Sequence, residues 1–174
     1  NIWNEVSLNG GLRYAQDKGD KLYRRSMYTY WKRSSPMPNM LIFDSPSREK
    51  CVIQRQRTNT PLQALVTLND PQFLEAARAF AERLLKSDKS GPADRIDLAY
   101  RYATARLATG REVKILTKLY QENLARFQSA PETAKEFLKV GESPRDESFD
   151  ASEHAAWMVV AQTIMNLDES LTRN

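Results

Sequence analysis

The chain has 174 residues, of which 41% are hydrophobic and 28% charged, and its net charge is +4. This composition is ordinary for a globular domain, and no window contains the roughly 20 apolar residues that a membrane span requires. The single cysteine, Cys51, and the single histidine, His154, exclude an internal disulfide, a haem-attachment motif and a cysteine-rich or histidine-rich metal site. The sequence therefore predicts no metal site in this chain.

The positive charge is concentrated in the first third of the chain. Between Lys21 and Arg57 there are nine basic and two acidic residues, a net charge of +7, so the remainder carries −3. A local excess of this kind bears on binding partners more than on the fold. It permits nucleic-acid binding, but no motif typical of that function is present, so we expect no nucleic-acid partner.

The N-terminal third predicts little regular structure. Asp20 can cap a helix through "KLYRRSMYTYWKR" (21–33), but the aromatic core of that stretch also favours a strand, and "SSPMP" (34–38) ends either one. Residues 39–59 are the least regular part, where "CVIQRQR" (51–57) alternates weakly. We expect an ordered loop there, with one short β-hairpin as the open alternative.

Two helix starts follow ten residues apart, at Thr60-Pro61 and Asp70-Pro71, because proline fits the first turn after a capping side chain. The first helix, 61–68, has Thr60 and Gln63 at capping-box spacing and is apolar in its middle, so we predict a buried plug. The second, 71–86, is amphipathic. Its predicted inward residues are Phe73, Ala76, Ala77, Phe80 and Leu84.

Four further helices are predicted. They cover 93–109, stopped by Gly110, then 112–128, then a shorter helix from Pro131 towards Gly141, and a last helix capped by Asp150 with Glu153. The last helix is apolar on most sides, which is typical of a central buried helix.

These elements predict a mainly α-helical fold, a bundle of about six or seven helices with an irregular N-terminal third. We expect a single domain over 1–174, in which an irregular basic segment, 1–59, packs on a helical bundle, 60–174. His154 is expected to be exposed or half-buried on the last helix. Cys51 lies among basic residues that would favour a thiolate, but its apolar neighbours Val52 and Ile53 predict burial.

Arginines and aromatic residues of the basic segment form the first candidate site. The residues are Arg24, Arg25, Tyr28, Trp31, Arg33, Arg55 and Arg57. Guanidinium groups pair in a bidentate way with sulfate, phosphate or carboxylate, and aromatic rings stack on sugars. The pattern indicates either a groove for an anionic polymer or an internal set of ion pairs that ties an irregular loop to the helices.

A polar set forms the second candidate site. Its residues are Asp44, Arg48, Glu49, Asn59, Asn69 and Asp70. If Asp44 and Glu49 shared a pocket, their pKa values could separate and supply an acid and a base, as in a glycoside hydrolase. The alternative is turn and cap chemistry at Asp44-Ser45-Pro46 and Asn69-Asp70-Pro71.

Three consecutive motifs carry a resemblance to a known family. They are "RRSMYTYWKR" (24–33), "PMPNMLIFDSPSREKC" (36–51) and "RQRTNTPLQALVTLNDP" (55–71), joined by "LATGR" (107–111) and "NLDESLTRN" (166–174). The sequence resembles the planctomycete-specific PSD-one family, a domain of unknown function. That resemblance implies the C-terminal part of a larger exported, periplasmic or otherwise extracytoplasmic protein. It also implies that any haem belongs to a cytochrome-c-like domain upstream, and it supplies no catalytic residues.

The chain begins at Asn1 rather than Met, and we interpret it as a fragment of such a protein. We expect a non-catalytic binding or interaction module, with the other domains of the parent protein and an anionic polysaccharide as partners. Two alternatives remain open at this point. One is part of a hydrolase-like enzyme acting on polysaccharide, and the other is a docking surface for a cytochrome-c-like domain.

Overall fold

A computed structural model describes residues 17–31 and 36–172. The described residues are mainly α-helical and contain no β-strand, which confirms the predicted fold class. They belong to two compact units, Asn1–Gln63 and Ala64–Asn174, with a boundary close to the one predicted between 59 and 60. The single-domain organisation stays a prediction.

The first unit contains short elements. Two 3₁₀ turns, Gly19–Tyr23 and Ser26–Tyr28, precede helix α1, Pro38–Ile42. The continuous helix predicted from Asp20 is wrong within the described residues, because the backbone is extended at Arg24 and at Thr29. Neither turn has a side-chain cap, and the aromatic residues that follow have low helix propensity.

Most of the regular structure lies in the second unit. Helix α2, Pro61–Asn69, crosses the boundary, and the remaining helices are α3 (Pro71–Leu85), α4 (Pro92–Thr104), α5 (Gly110–Ser129), α6 (Pro131–Leu138), α7 (Ala151–Met165) and α8 (Asp168–Leu171). Helices α3, α4, α5, α6 and α8 all pack on α7. Trp157, Met158 and Val160 of α7 are fully buried, so the prediction of a central last helix is confirmed.

The predicted caps form at three helix starts. Thr60 and Gln63 make both bonds of a capping box, with N···O distances of 3.1 and 3.3 Å. The Asp70 carboxylate accepts from the Gln72 backbone N–H at 2.9 Å, and the Asp150 carboxylate accepts from that of Glu153 at 2.9 Å. Local chemistry therefore fixes where these helices begin.

The predicted stop at Gly110 is wrong. Helix α4 ends at Thr104, and Ala105 takes the left-handed conformation with φ of 62°. Gly110 is instead the first residue of α5, whose N-cap Thr109 forms a capping box with Glu112. A threonine followed three residues later by a glutamate, here Thr109 and Glu112, is the sequence signal for the start of helix α5.

The prediction of a buried plug at α2 is also wrong. Leu62, Leu65 and Leu68 are 52%, 58% and 41% exposed, whereas Gln63 and Thr67 are buried. The buried polar groups are satisfied: the Gln63 amide donates to the Ile42 carbonyl at 2.8 Å. The Thr67 hydroxyl lies 2.7 Å from the Asn166 side-chain oxygen. Helix α2 thus turns its polar residues inward.

Helix α3 buries more polar groups than its pattern predicts. Ala77 and Leu84 are buried as expected, and Ala76 is exposed, contrary to prediction. Glu75 and Arg78 take inward positions instead.

Gly141, in the loop after α6, has φ of 104°, which side chains rarely adopt. A Cβ atom there would lie 2.5 Å from Oε2 of the buried Glu75. We expect Gly141→Ala to lower the free energy of unfolding by about 1–3 kcal/mol from backbone strain, with the clash adding to it. Urea denaturation followed by circular dichroism measures this change.

Gly110→Ala is the matched control, because no atom lies within 4 Å of the added Cβ and the residue is in a first helical turn. It should leave stability unchanged or raise it by about 0.4–1 kcal/mol. Equal losses in the two variants would contradict the role of Gly141.

Candidate functional site

The arginine–aromatic surface of the first unit is the main sequence-predicted site. Arg24 and Arg25 are exposed, and neither forms an ion pair with a described residue. Tyr28, the last residue of the second 3₁₀ turn, is 63% exposed. These three side chains are therefore available to a ligand. Arg33 lies outside the described residues.

Trp31 takes part in a contact within the same unit. The guanidinium carbon of Arg48 lies 4.7 Å from the centre of the Trp31 ring, a cation–π distance. Trp31 is half-buried, and Arg48 has a left-handed backbone with φ of 62°. The contact thus joins Trp31, from the predicted arginine–aromatic set, to Arg48, from the predicted polar set.

Asp44 anchors the loop that follows α1. Its backbone is left-handed, with φ of 58°, and its carboxylate accepts from the Thr58 N–H at 2.8 Å and from the Thr58 hydroxyl at 2.9 Å. The Gln63 amide donates to the same hydroxyl at 3.1 Å. Arg55 donates from Nε to the Asp44 carbonyl at 3.4 Å. These bonds join two irregular segments of the first unit.

Three other members of the polar set, Glu49, Asn69 and Asp70, form local hydrogen bonds with residues two to four positions away in the chain. Glu49 is exposed, and its N–H donates to the Ser47 hydroxyl at 3.4 Å. Asn69 donates to the Leu65 carbonyl at 2.8 Å at the end of α2, and Asp70 caps α3. Asn69 and Asp70 belong to the second unit, so the predicted polar set is divided between the units.

Three remaining side chains of the basic segment are exposed. They are Arg57, Asn59 and Cys51. Cys51 is exposed, so its predicted burial is wrong. Its apolar neighbours Val52 and Ile53 are exposed as well. In this irregular segment, apolar neighbours in the sequence did not indicate that a residue is buried.

A buried polar network in the second unit was not predicted. Arg78 of α3 is 2% exposed and donates through Nη1 to the carbonyls of Leu138 and Val140, at 2.8 and 2.9 Å. Its Nη2 donates to the carbonyl and hydroxyl of Ser143, at 2.6 and 2.8 Å. One guanidinium thus holds the chain as it leaves α6.

Glu75 completes this arrangement one turn earlier on α3. Its carboxylate accepts from the N–H groups of Glu142 and Ser143, at 3.1 and 2.8 Å. It lies 3.7 Å from the Arg78 guanidinium, so two buried charges offset one another. The pair fixes both the carbonyl and the N–H groups of the 140–143 segment.

His154 of α7 is fully buried beside this pair, which corrects the expectation of an exposed or half-buried residue. Its Nε2 lies 3.2 Å from the Arg78 carbonyl oxygen and 3.9 Å from Oε1 of Glu82. Burial lowers the pKa of His154, so the neutral ring is favoured and Nε2–H donates to the carbonyl.

The sequence held a signal for this network. Arg78 lies between Ala77 and Ala81 on the inward side of α3, and His154 precedes two alanines of a helix that is apolar on most sides. A charged or polar residue on an apolar face indicates a satisfied buried group. The buried charges are committed to backbone groups, which is the chemistry of a structural network. Among the described residues, no His, Cys, Asp or Glu cluster is suited to hold a metal ion.

Arg106, after α4, forms a second ionic cluster. It donates to Glu112 at 2.8 and 3.0 Å and to Glu169 at 2.7 and 3.2 Å. The paired guanidinium and the Thr109 N–H lower the pKa of Glu112 to about 2. Arg106 thereby joins the start of α5 to α8, which brings together the two short motifs "LATGR" and "NLDESL".

A family model described as PSD1, protein of unknown function (DUF1553), matches residues 4–120. The chain belongs to this family. The match confirms the predicted membership in a PSD1 domain family of unknown function. No curated protein and no solved structure shows significant similarity to the chain.

The PSD1 match covers the candidate surface of the first unit and the "LATGR" motif, and it ends inside α5. The Arg106 partner Glu169 lies beyond the matched residues. Across the described part of the chain, no helix has the length and apolar character needed to cross a membrane.

Replacing Arg78 by Met should be strongly destabilising, because the substitution leaves the Glu75 carboxylate buried without its cation. We expect a loss of about 3–5 kcal/mol in the free energy of unfolding, measured by chemical denaturation. Lys118→Met is the control, since Lys118 is exposed and 3.7 Å from Glu122 on the same helix. Its expected loss is below about 0.5 kcal/mol, and a similar loss in both variants would refute the proposed importance of Arg78.

Arg106→Lys keeps the charge but cannot bridge two carboxylates with one planar group. Because the cluster is partly exposed, we expect a loss of about 1 kcal/mol in thermal unfolding experiments. Arg101→Lys, on the exposed side of α4, should be neutral. An Arg106 variant as stable as the Arg101 variant would show that the bridge contributes nothing measurable.

Proposed function

We propose that this PSD1 chain is a non-catalytic binding module whose first unit binds an anionic polysaccharide through its arginine–aromatic surface. The observation that carries the proposal is the exposure of Arg24 and Arg25 without acidic partners among the described residues. A structural role would require such groups to be paired with carboxylates or carbonyls.

The charge distribution supports an anionic ligand. The first unit has eleven basic and five acidic residues, a net charge of +6, and the second unit has 15 basic and 17 acidic residues, a net charge of −2. Lys50 is exposed in the same unit and forms no ion pair with a described residue. A field of one sign attracts a polyanion and makes its binding sensitive to salt.

The side-chain types support a polysaccharide. Arginine presents a planar fork that fits sulfate and carboxylate groups, and exposed aromatic rings stack on sugar faces. Tyr23, Tyr28 and Tyr30 are all more than half exposed in the segment that carries Arg24 and Arg25. The tyrosine rings and the two guanidinium groups therefore lie within one short stretch of the chain.

The hydrolase alternative has less support. The Asp44 carboxylate accepts three hydrogen bonds from Thr58 groups, two of 2.9 Å and one of 2.8 Å, so its oxygens serve a loop anchor. The alternative of docking to a cytochrome-c-like domain uses the same exposed arginines, and it differs in predicting an acidic protein surface as the ligand.

The proposal also includes the setting implied by the sequence resemblance. The chain would serve a larger exported protein of planctomycetes, in a periplasmic or other extracytoplasmic location, with the other domains of that protein as partners. No cofactor is assigned to this chain, and a haem group would belong to an upstream domain.

Binding to three glycans tests the proposal: dextran sulfate, polygalacturonate and uncharged dextran, at 50 and 300 mM salt. We expect salt-sensitive binding of one or both polyanions and none of dextran. Arg24→Ala/Arg25→Ala should weaken binding about tenfold at low salt, if each exposed contact contributes about 0.7 kcal/mol. Isothermal titration calorimetry measures the affinities.

Lys114→Ala/Lys118→Ala is the charge-matched control, because both lysines are exposed on α5 in the second unit. It should leave the affinity within twofold of the unchanged chain. Equal weakening by the two double variants would show that only net charge matters. Absence of binding to either polyanion at 50 mM salt would refute the proposal.

A further inference from the structure

The loop between α6 and α7 is held to α3 by a polar stripe. Glu75, Arg78 and Glu82 recur at helical spacing along one side of α3, and Lys86, the C-cap residue of this helix, continues the spacing. The first two bind the 140–143 backbone, as described above. Glu82 accepts from the Asp146 N–H at 3.1 Å, and Lys86 pairs with the Asp146 carboxylate at 2.8 Å.

His154 lies against the middle of this stripe. Its Nε2 contacts the Arg78 carbonyl and lies near Glu82, while the Phe149 ring at the end of the loop packs edge-on, with the ring centres 6.3 Å apart. Its Nδ1 is buried and has no hydrogen-bond partner. The imidazole is therefore enclosed by α3 and the loop.

This enclosure suits a neutral ring and opposes a charged one. In the neutral form Nε2–H donates to the Arg78 carbonyl, and Nδ1 carries only a lone pair. Protonation at Nδ1 would bury a second N–H with no acceptor and a positive charge near the guanidinium groups of Arg78 and Arg145. The Glu82 carboxylate favours the charge, but burial is the larger effect.

We propose that His154 is an acid-sensitive latch whose protonation releases the 139–150 loop from α3. The fully buried ring must leave its enclosure to gain a proton, and the loop covers it. Opening of the loop exposes Glu75 and Arg78 to water together with His154. Glu75 and Arg78 bind the loop backbone, and His154 contacts both the loop residue Phe149 and the Arg78 carbonyl.

The direction of the pH effect follows from proton linkage. The pKa of His154 is lower in the closed state than in the open state, so acidification favours the open state that binds the proton. The latch is stable above the ordinary histidine pKa of about 6.5 and weakens as the pH falls below it. Since the chain has one histidine, a change between pH 7 and 5.5 reports on His154.

Hydrogen exchange of the whole chain at pH 7.0 and 5.5, corrected for intrinsic exchange rates, tests the latch. We expect protection of the 139–150 amides to fall about tenfold at pH 5.5, the limit for one proton taken up only on opening. Amides in the middle of α5 should keep their protection. Unchanged protection of 139–150 in the natural chain would overturn the latch.

His154→Gln provides the matched variant, because the glutamine amide can donate to the Arg78 carbonyl and does not titrate. Its 139–150 protection should be the same at both pH values. A variant that retains the full pH response would also overturn the latch, as would a loss in the natural chain spread evenly over all helices of the second unit. If the variant does not fold, the exchange pattern of the natural chain still decides.

Discussion

The second unit depends on one constraint: Arg78 must be buried with both of its Nη groups hydrogen-bonded to the chain that leaves α6. A buried charge without partners would cost several kcal/mol, so helix α3 and the 138–143 segment stabilise each other. The carbonyls of Leu138, Val140 and Ser143 converge on one side chain. The left-handed Gly141 permits this turn of the backbone and leaves room for Glu75.

The two units solve the problem of irregular backbone by different means. In the second unit, the loop after α6 is fixed by buried ionic groups of a long helix. In the first unit, the loop after α1 is fixed by Asp44 and Thr58, which are partly exposed, and by the buried amide of Gln63. The fold of the first unit therefore depends less on its arginines than the fold of the second unit depends on Arg78. This difference makes the surface of the first unit a candidate for binding.

Helix starts could be predicted from the sequence because their chemistry is local: Asp70, Asp150 and the Thr60–Gln63 pair all act within three residues. The partners of the buried Arg78 could not, since they lie 60 to 65 residues further along the chain. The inward polar side of α2 escaped prediction for the same reason. For the candidate site, residue types indicated a ligand class, but only the fold separates exposed arginines from those that anchor a loop.

Helix α7 lies at the centre of the packing although it comes near the end of the described chain. During synthesis, α3 to α6 leave the ribosome before the helix that covers their apolar sides exists. Trp157 and its buried neighbours must then enter a site that α3, α5 and α6 leave for them. The second unit therefore completes its fold only after residue 165 has emerged. A chain cut before Ala151 would leave the apolar sides of α3, α5 and α6 exposed to chaperones and proteases.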